Sequence, residues 1–178
     1  PSIMPGTIWI TGITASGKTT LGQSLYESLI EKGVSQLEFL DGDVLRKSLD
    51  KTYGHSLEDR KIVLEKIVKI AREKNQKGIT VIVSTVSHRK AHREYARSHI
   101  SQFMEVHLNC SPKVCMDRDY KGLYKKGYLG KYDLFPGVTE PYETSVDPEL
   151  TLNTHLTPYS ECADILYREV ISFLGIDH

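Results

Sequence analysis

Cysteine is scarce in this chain: Cys110, Cys115 and Cys162 are its three in 178 residues. An odd number at these spacings makes neither a disulfide framework nor a zinc site, so reduced thiols at small core or surface positions are expected. Charge of one sign is also missing, because Lys+Arg and Asp+Glu number 23 each. That balance argues against a surface that coats a nucleic acid polymer and against a polybasic membrane anchor. No apolar run reaches the length of a membrane span. Pro1-Ser2-Ile3-Met4-Pro5 has no charged segment followed by a long apolar one, so no secretory signal is read there. These absences describe a cytoplasmic protein. No internal repeat and no linker composition interrupt the chain, and residues 1–178 are expected to form one domain.

Metal-ligand spacing is missing among the seven histidines. His88, His92 and His99 are expected on one polar helix and read as solvated.

What is present is concentrated at residues 12–20. Gly12-Ile13-Thr14-Ala15-Ser16-Gly17-Lys18-Thr19-Thr20 matches the phosphate-binding loop G-x-x-x-x-G-K-[ST] in full. The β-branched run Thr7–Thr11 before it reads as a buried strand. The leucines 21, 25 and 29 after it, stopped by Gly33, read as a helix. In that context the loop amides and the helix N-terminus cradle phosphates. Lys18 would bridge the β- and γ-phosphates of a nucleotide, and the Thr19 hydroxyl would bind Mg²⁺.

The rest of the chain alternates strands and helices. Leu37–Leu40 reads as a strand ending at Asp41-Gly42-Asp43. Residues 56–77 read as a helix capped by Ser56, with Val63, Ile67, Ile70 and Lys74 on one side. Ile79–Val83 and Phe103–Leu108 read as strands, His88–His99 as a helix, and Pro112 to about Asp119 as another. Residues 121–150, rich in Lys, Gly, Tyr and Pro, read as a lid, because a long loop in a compact domain is usually functional. Thr157-Pro158 reads as the start of a last helix carrying Ile165, Leu166, Val170 and Leu174. The fold class is α/β: a doubly wound parallel sheet of the P-loop NTPase type, flanked by helices, with its ligands at the strand C-termini.

The loop serves GTPases, motor ATPases and small kinases alike. The chain has no N-K-x-D element for guanine, and its central strand runs into Ser84-Thr85 rather than an acidic residue. A small kinase remains. The chain resembles the adenylylsulfate kinases along nearly its whole length. The resemblance rests on residues 12–20, Leu40-Asp41-Gly42-Asp43-Val44-Leu45-Arg46, Asp59-Arg60 and Phe103–Val106. It continues in Arg118-Asp119-Tyr120-Lys121-Gly122-Leu123-Tyr124-Lys125-Lys126, Phe135–Val138 and Pro141-Tyr142-Glu143.

That resemblance implies ATP-dependent phosphorylation of the 3′-hydroxyl of adenosine 5′-phosphosulfate (APS), with Mg²⁺, in a homodimer. By it, Asp41 and Asp43 orient the acceptor hydroxyl or take its proton, and Asp41 touches the Mg²⁺ shell. Arg46 and Arg60 hold the acceptor's charged 5′ group, for which guanidinium forks suit the oxygens. Arg118 and Lys121 contact the nucleotides, Phe135 stacks on the acceptor base, and Ser87 corresponds to a serine described in the family as a phosphorylated intermediate. Lys125 and Lys126 read as solvated.

Departures from the family pattern gather on the acceptor side. His55 stands in place of a stacking aromatic, Val63 in place of an asparagine, and Val86-Ser87-His88-Arg89-Lys90 in place of I-S-P-Y-R. Two acceptors therefore stay open: APS, or another 5′-modified nucleotide such as the cytidine diphosphoramidate of capsule modification. A non-catalytic nucleotide-binding module is the third reading.

Overall fold

The computed structural model describes residues 4–49, 53–54, 56–118 and 141–177. Strand β1 (Thr7–Thr11) is followed by α1 (Lys18–Lys32), β2 (Leu37–Asp41), α2 (Gly42–Ser48) and α3 (Leu57–Gln76). Then come β3 (Thr80–Thr85), α4 (Lys90–His99), β4 (Phe103–Asn109), α5 (Pro112–Asp117), β5 (Leu150–Asn153) and a final helix, α6 (Tyr159–Leu174). The strands form one sheet in the order β2-β3-β1-β4-β5, with all neighbours parallel.

Side chains alternate across the central strand and divide the core in two. Ile8 and Ile10 point to one face, where they meet Leu21, Leu25 and Leu29 of α1 and Leu166, Val170 and Leu174 of α6. Trp9 points to the other, among Val63, Leu64, Ile67 and Ala71 of α3 and Ala96 of α4. A sheet covered on both faces has near-continuously apolar strands, which is why β1, β3 and β4 were readable from composition. β1 holds the centre, and the chain visits β2 and β3 on one side of it before β4 and β5 on the other. The carboxyl edge beside β1 is therefore the switch point of the sheet, where a crevice opens.

Several boundaries differ from the sequence reading. A fifth strand, Leu150–Asn153, begins at the last residue assigned to the lid. It is four residues long and pairs with β4 alone, too short for periodicity to reveal. Glu149 anchors it by accepting from Arg97 Nη2 at 2.9 Å and from the Glu105 amide at 2.8 Å. The buried stripe of α3 runs through Val63, Leu64, Ile67, Val68 and Ala71, leaving Ile70 and Lys74 at its margin. Ser56 caps that helix as read, accepting from the Asp59 amide. The last helix starts at Tyr159, one residue later than expected, with Pro158 at its cap position.

The histidine reading is corrected more substantially. Helix α4 starts at Lys90, so His88 precedes it. His88 and His92 are buried rather than solvated, and only His99 of the three is exposed, stacked on Tyr95. The three cysteines are buried and unpaired.

Leu166 is fully buried where α6 meets the sheet. Leu166→Ala should cost about 2–5 kcal/mol of unfolding free energy, read as a lower urea midpoint at unchanged slope. A loss well under about 1 kcal/mol would show that α6 is not integral to this core.

Candidate active site

The site is built on the turn that leaves β1. At Gly12 a Cβ would lie 2.6 Å from Ser16 Oγ and 3.0 Å from the Leu108 carbonyl oxygen, so the position has no room for a side chain. Ala15 and Gly17 adopt left-handed backbone, at φ 67° and 105°, and the Ser16 amide closes the turn on Ile13 O at 3.1 Å. Alternating backbone hands of this kind make an anion-binding concavity. Helix α1 opens from Gly17 with no side-chain cap and no acid in its first turn. Its first amides and positive dipole end are thus left for a bound anion. Residues 12–20 lie on this loop and first turn, as the motif predicts.

Lys18 folds back and donates from Nζ to Ile13 O at 3.0 Å. Desolvation brings its ammonium down from the ordinary 10.5 to about 8, against the opposing pull of Asp43, Cys115 and Asp41. The neighbouring Cys115 thiol is pushed up to about 12 by burial and by its contact with Cys110. It is therefore a thiol, not a thiolate, beside the loop.

The two aspartates after β2 have different surroundings. Asp41 Oδ1 caps α2, accepting from the Asp43 and Val44 amides at 2.9 and 3.3 Å. Its other oxygen, Oδ2, accepts from the Thr19 hydroxyl at 2.9 Å. Asp43 lies one residue into α2, exposed, and accepts from Arg46 Nη2 at 2.7 Å. Gly42 between them packs against β3: a Cβ there would lie 3.0 Å from Thr85 Oγ1.

Two cavities open at this edge. One, of about 660 Å³, runs from Gly17 and Thr20 past Arg118 to Thr154, Leu156 and Tyr159. Arg118 is fixed there by donating to Thr154 O at 2.7 Å. The other, of about 40 Å³, is lined by Asp43, Arg46, Arg60, Val63 and Ser87, together with His88 and His92. Sequence reasoning missed the wall from Thr154 to Tyr159, which carries no motif, and the two histidines.

A buried polar cluster supports the second cavity. Thr11 Oγ1 donates to Val86 O at 2.7 Å and lies 2.5 Å from Tyr142 Oη. Ser87, in left-handed backbone at φ 40°, sends its hydroxyl to Thr11 Oγ1 at 2.8 Å and accepts from the Trp9 indole at 3.1 Å. Arg93, buried beneath, donates to Ser87 O at 2.6 Å and to Glu143 O, and lies over the Tyr142 ring. The Ser87 hydroxyl is thus engaged inside the protein on two sides. In this position Ser87 lines the cavity and braces its wall. His55, Lys121 and Phe135, read as acceptor residues, lie outside the described residues, as do Lys125 and Lys126.

The model for the adenylylsulphate kinase family matches residues 4–153. The chain belongs to the adenylylsulfate kinase family. It is 38% identical to the adenylyl-sulfate kinase of Rippkaea orientalis, over 92% of this chain and 90% of the relative. It is 42% identical to a probable adenylyl-sulfate kinase of Archaeoglobus fulgidus, over 83% and 94%. The Mycobacterium tuberculosis APS kinase in complex with AMPPNP and APS superposes with a TM-score of 0.85 at 33% identity, covering 98% of this chain and 99% of that one. Family membership makes the protein a kinase that transfers a phosphoryl group to a hydroxyl.

The depressed Lys18 pKa has two consequences. Between about 8 and 10.5 the unfolded chain holds the Lys18 proton that the fold has lost. The ligand-free fold should therefore gain stability as pH rises through that window. Bound phosphates favour the ammonium, so nucleotide binding at about pH 9 should take up a proton, seen as buffer-dependent calorimetric heats. Heats independent of the buffer would remove Lys18 from phosphate contact.

Proposed function

We propose that the protein phosphorylates the 3′-hydroxyl of adenosine 5′-phosphosulfate with ATP. The observation that carries this is the pair of cavities at one sheet edge, the larger beside the phosphate loop and the smaller between Arg46 and Arg60, with Lys18 and Asp43 in electrostatic reach of each other. The binding of AMPPNP and APS by the Mycobacterium tuberculosis kinase supports the same division.

In this reading the ATP base and ribose lie in the cavity beside Arg118, and the phosphates lie on residues 12–20. Lys18 leaves Ile13 O and follows the γ-phosphoryl as it transfers. Asp43 orients the acceptor hydroxyl and takes its proton, since it alone of the two aspartates lines the acceptor cavity. Arg46 and Arg60 hold the 5′ group by charge-assisted hydrogen bonds. Thr19 Oγ1 and Asp41 Oδ2, 2.9 Å apart, are hard oxygen donors that fit Mg²⁺, which keeps one or two protein ligands beside phosphates and water. When bound, that ion neutralises charge on the β- and γ-phosphates. His55 and Phe135 flanking the acceptor base, Lys121 over the nucleotides, a single domain, a homodimer and a cytoplasmic location complete the proposal.

Val63 and the two buried histidines give a second reading some support, in which the acceptor is a different 5′-modified nucleotide such as cytidine diphosphoramidate. Acceptor-dependent ADP release with MgATP, compared among APS, the cytidine compound and simple nucleoside 5′-diphosphates, separates the two. APS should give the highest kcat/KM; no acceptor-dependent release with any of them would refute the kinase reading. Asp43→Asn should lower kcat by about 10²–10⁴ with ATP affinity little changed. Full turnover in that variant would take Asp43 out of the chemistry.

A further inference from the structure

The smaller cavity contains more recognition chemistry than the arginine pair. At about 40 Å³ it holds the equivalent of roughly three waters, by the room that a buried water needs. Room of that size suits a tetrahedral oxyanion. Its walls are unlike one another. Helix α3 contributes apolar Val63, Leu64 and Ile67 below Arg60, and helix α2 contributes Asp43 and Arg46. The turn after β3 and the first turn of α4 contribute His88 and His92, buried and set edge to face, with ring centroids 6.3 Å apart at 90°.

We propose that His88 and His92 complete, with Arg46 and Arg60, a pocket for the terminal tetrahedral oxyanion of the acceptor's 5′ group, and so set acceptor specificity. The inference rests on the kinase reading above and adds residues to its acceptor side. Val63 offers no hydrogen bond from α3, and the imidazoles bring ring N–H donors to the same lining. Desolvation first, then Arg89, Lys61, Arg60 and Arg93, hold His92 below the ordinary histidine value. It therefore enters the pocket neutral near pH 7, donating one N–H without adding to the repulsion among the guanidinium groups. The turn carrying His88 is also held in place: the Glu143 amide donates to His88 O at 2.8 Å, and Arg93 donates to Ser87 O.

Inorganic sulfate is the probe. With the whole chain at saturating MgATP, which occupies the phosphate loop, sulfate should compete with the acceptor. His88→Ala and His92→Ala should each weaken that competition and raise the acceptor KM by about 10-fold or more, the loss of a hydrogen bond to a charged group, with the ATP KM unchanged. His92→Asn, which keeps an N–H donor, should recover part of the loss. Undiminished sulfate competition in both alanine variants would overturn the proposal. An ATP KM that rises in step with the acceptor KM would also overturn it, because it marks a structural role. Should an alanine variant not fold, His88→Leu and His92→Leu, which fill the space without a donor, carry the same comparison. If no nucleotide is turned over even by the unaltered chain, the kinase reading fails by itself. The pocket is then decided by sulfate's effect on the melting temperature with MgATP filling the phosphate loop: a shift that the histidine variants lose supports it, and an equal shift in all of them overturns it.

Discussion

The register of three parallel strands is the constraint on which the rest of this molecule depends. Thr11 at the end of β1 pairs with Thr85 of β3, and Asp41 at the end of β2 pairs with Ser84. Three segments therefore leave the sheet side by side at one edge: the phosphate loop, the capped start of α2 and the turn carrying Ser87 and His88. A parallel sheet guarantees this, because every strand delivers its carboxyl end to the same side. No single segment contains a site. Ladder pairing places the phosphate-binding loop, two aspartates and the turn carrying Ser87 and His88 within one crevice.

The side chains at that edge preserve what the register sets. Thr11 occupies the last position of β1, and its hydroxyl links Val86 O, Ser87 and Tyr142. Arg93 sits beneath, holding Ser87 O and Glu143 O, with Glu105 3.8 Å from its Nε. A buried guanidinium is tolerable only when it is compensated, and here two backbone carbonyls accept from its Nη atoms while the Glu105 carboxylate supplies the counter-charge. The same satisfied cluster ties the stretch at 141–143 to the turn at 86–90, where the Lys90 amide donates to Glu143 Oε1 at 2.9 Å. The turn that lines the crevice is thus held by buried residues beneath it.

Much of this was legible from residue order. The phosphate loop with its strand and helix, the capped start of α3 and the apolar central strands follow from spacing, and the structure has them. Strand β5 escaped because four residues paired on one side give too little pattern. His92 and Arg93 escaped for a different reason. A helix as polar as α4 reads as solvated, and its inner face is buried only because polar partners on β4, the Ser87 turn and residues 142–143 await it. Burial of polar groups depends on partners distant in sequence, which periodicity does not encode. The wall at Thr154–Tyr159 was missed because it is a loop made functional by its position beside Arg118.

The central claim is that this edge brings the γ-phosphoryl of ATP to the 3′-hydroxyl of a 5′-modified nucleotide. The most direct test is the position of the new phosphate in the product made from MgATP and APS, read by phosphorus–proton correlation in NMR. The account predicts one new phosphorus resonance, coupled to the ribose H3′, with ADP formed in equal amount. A phosphate on another position, or ADP accompanied only by inorganic phosphate, would contradict it.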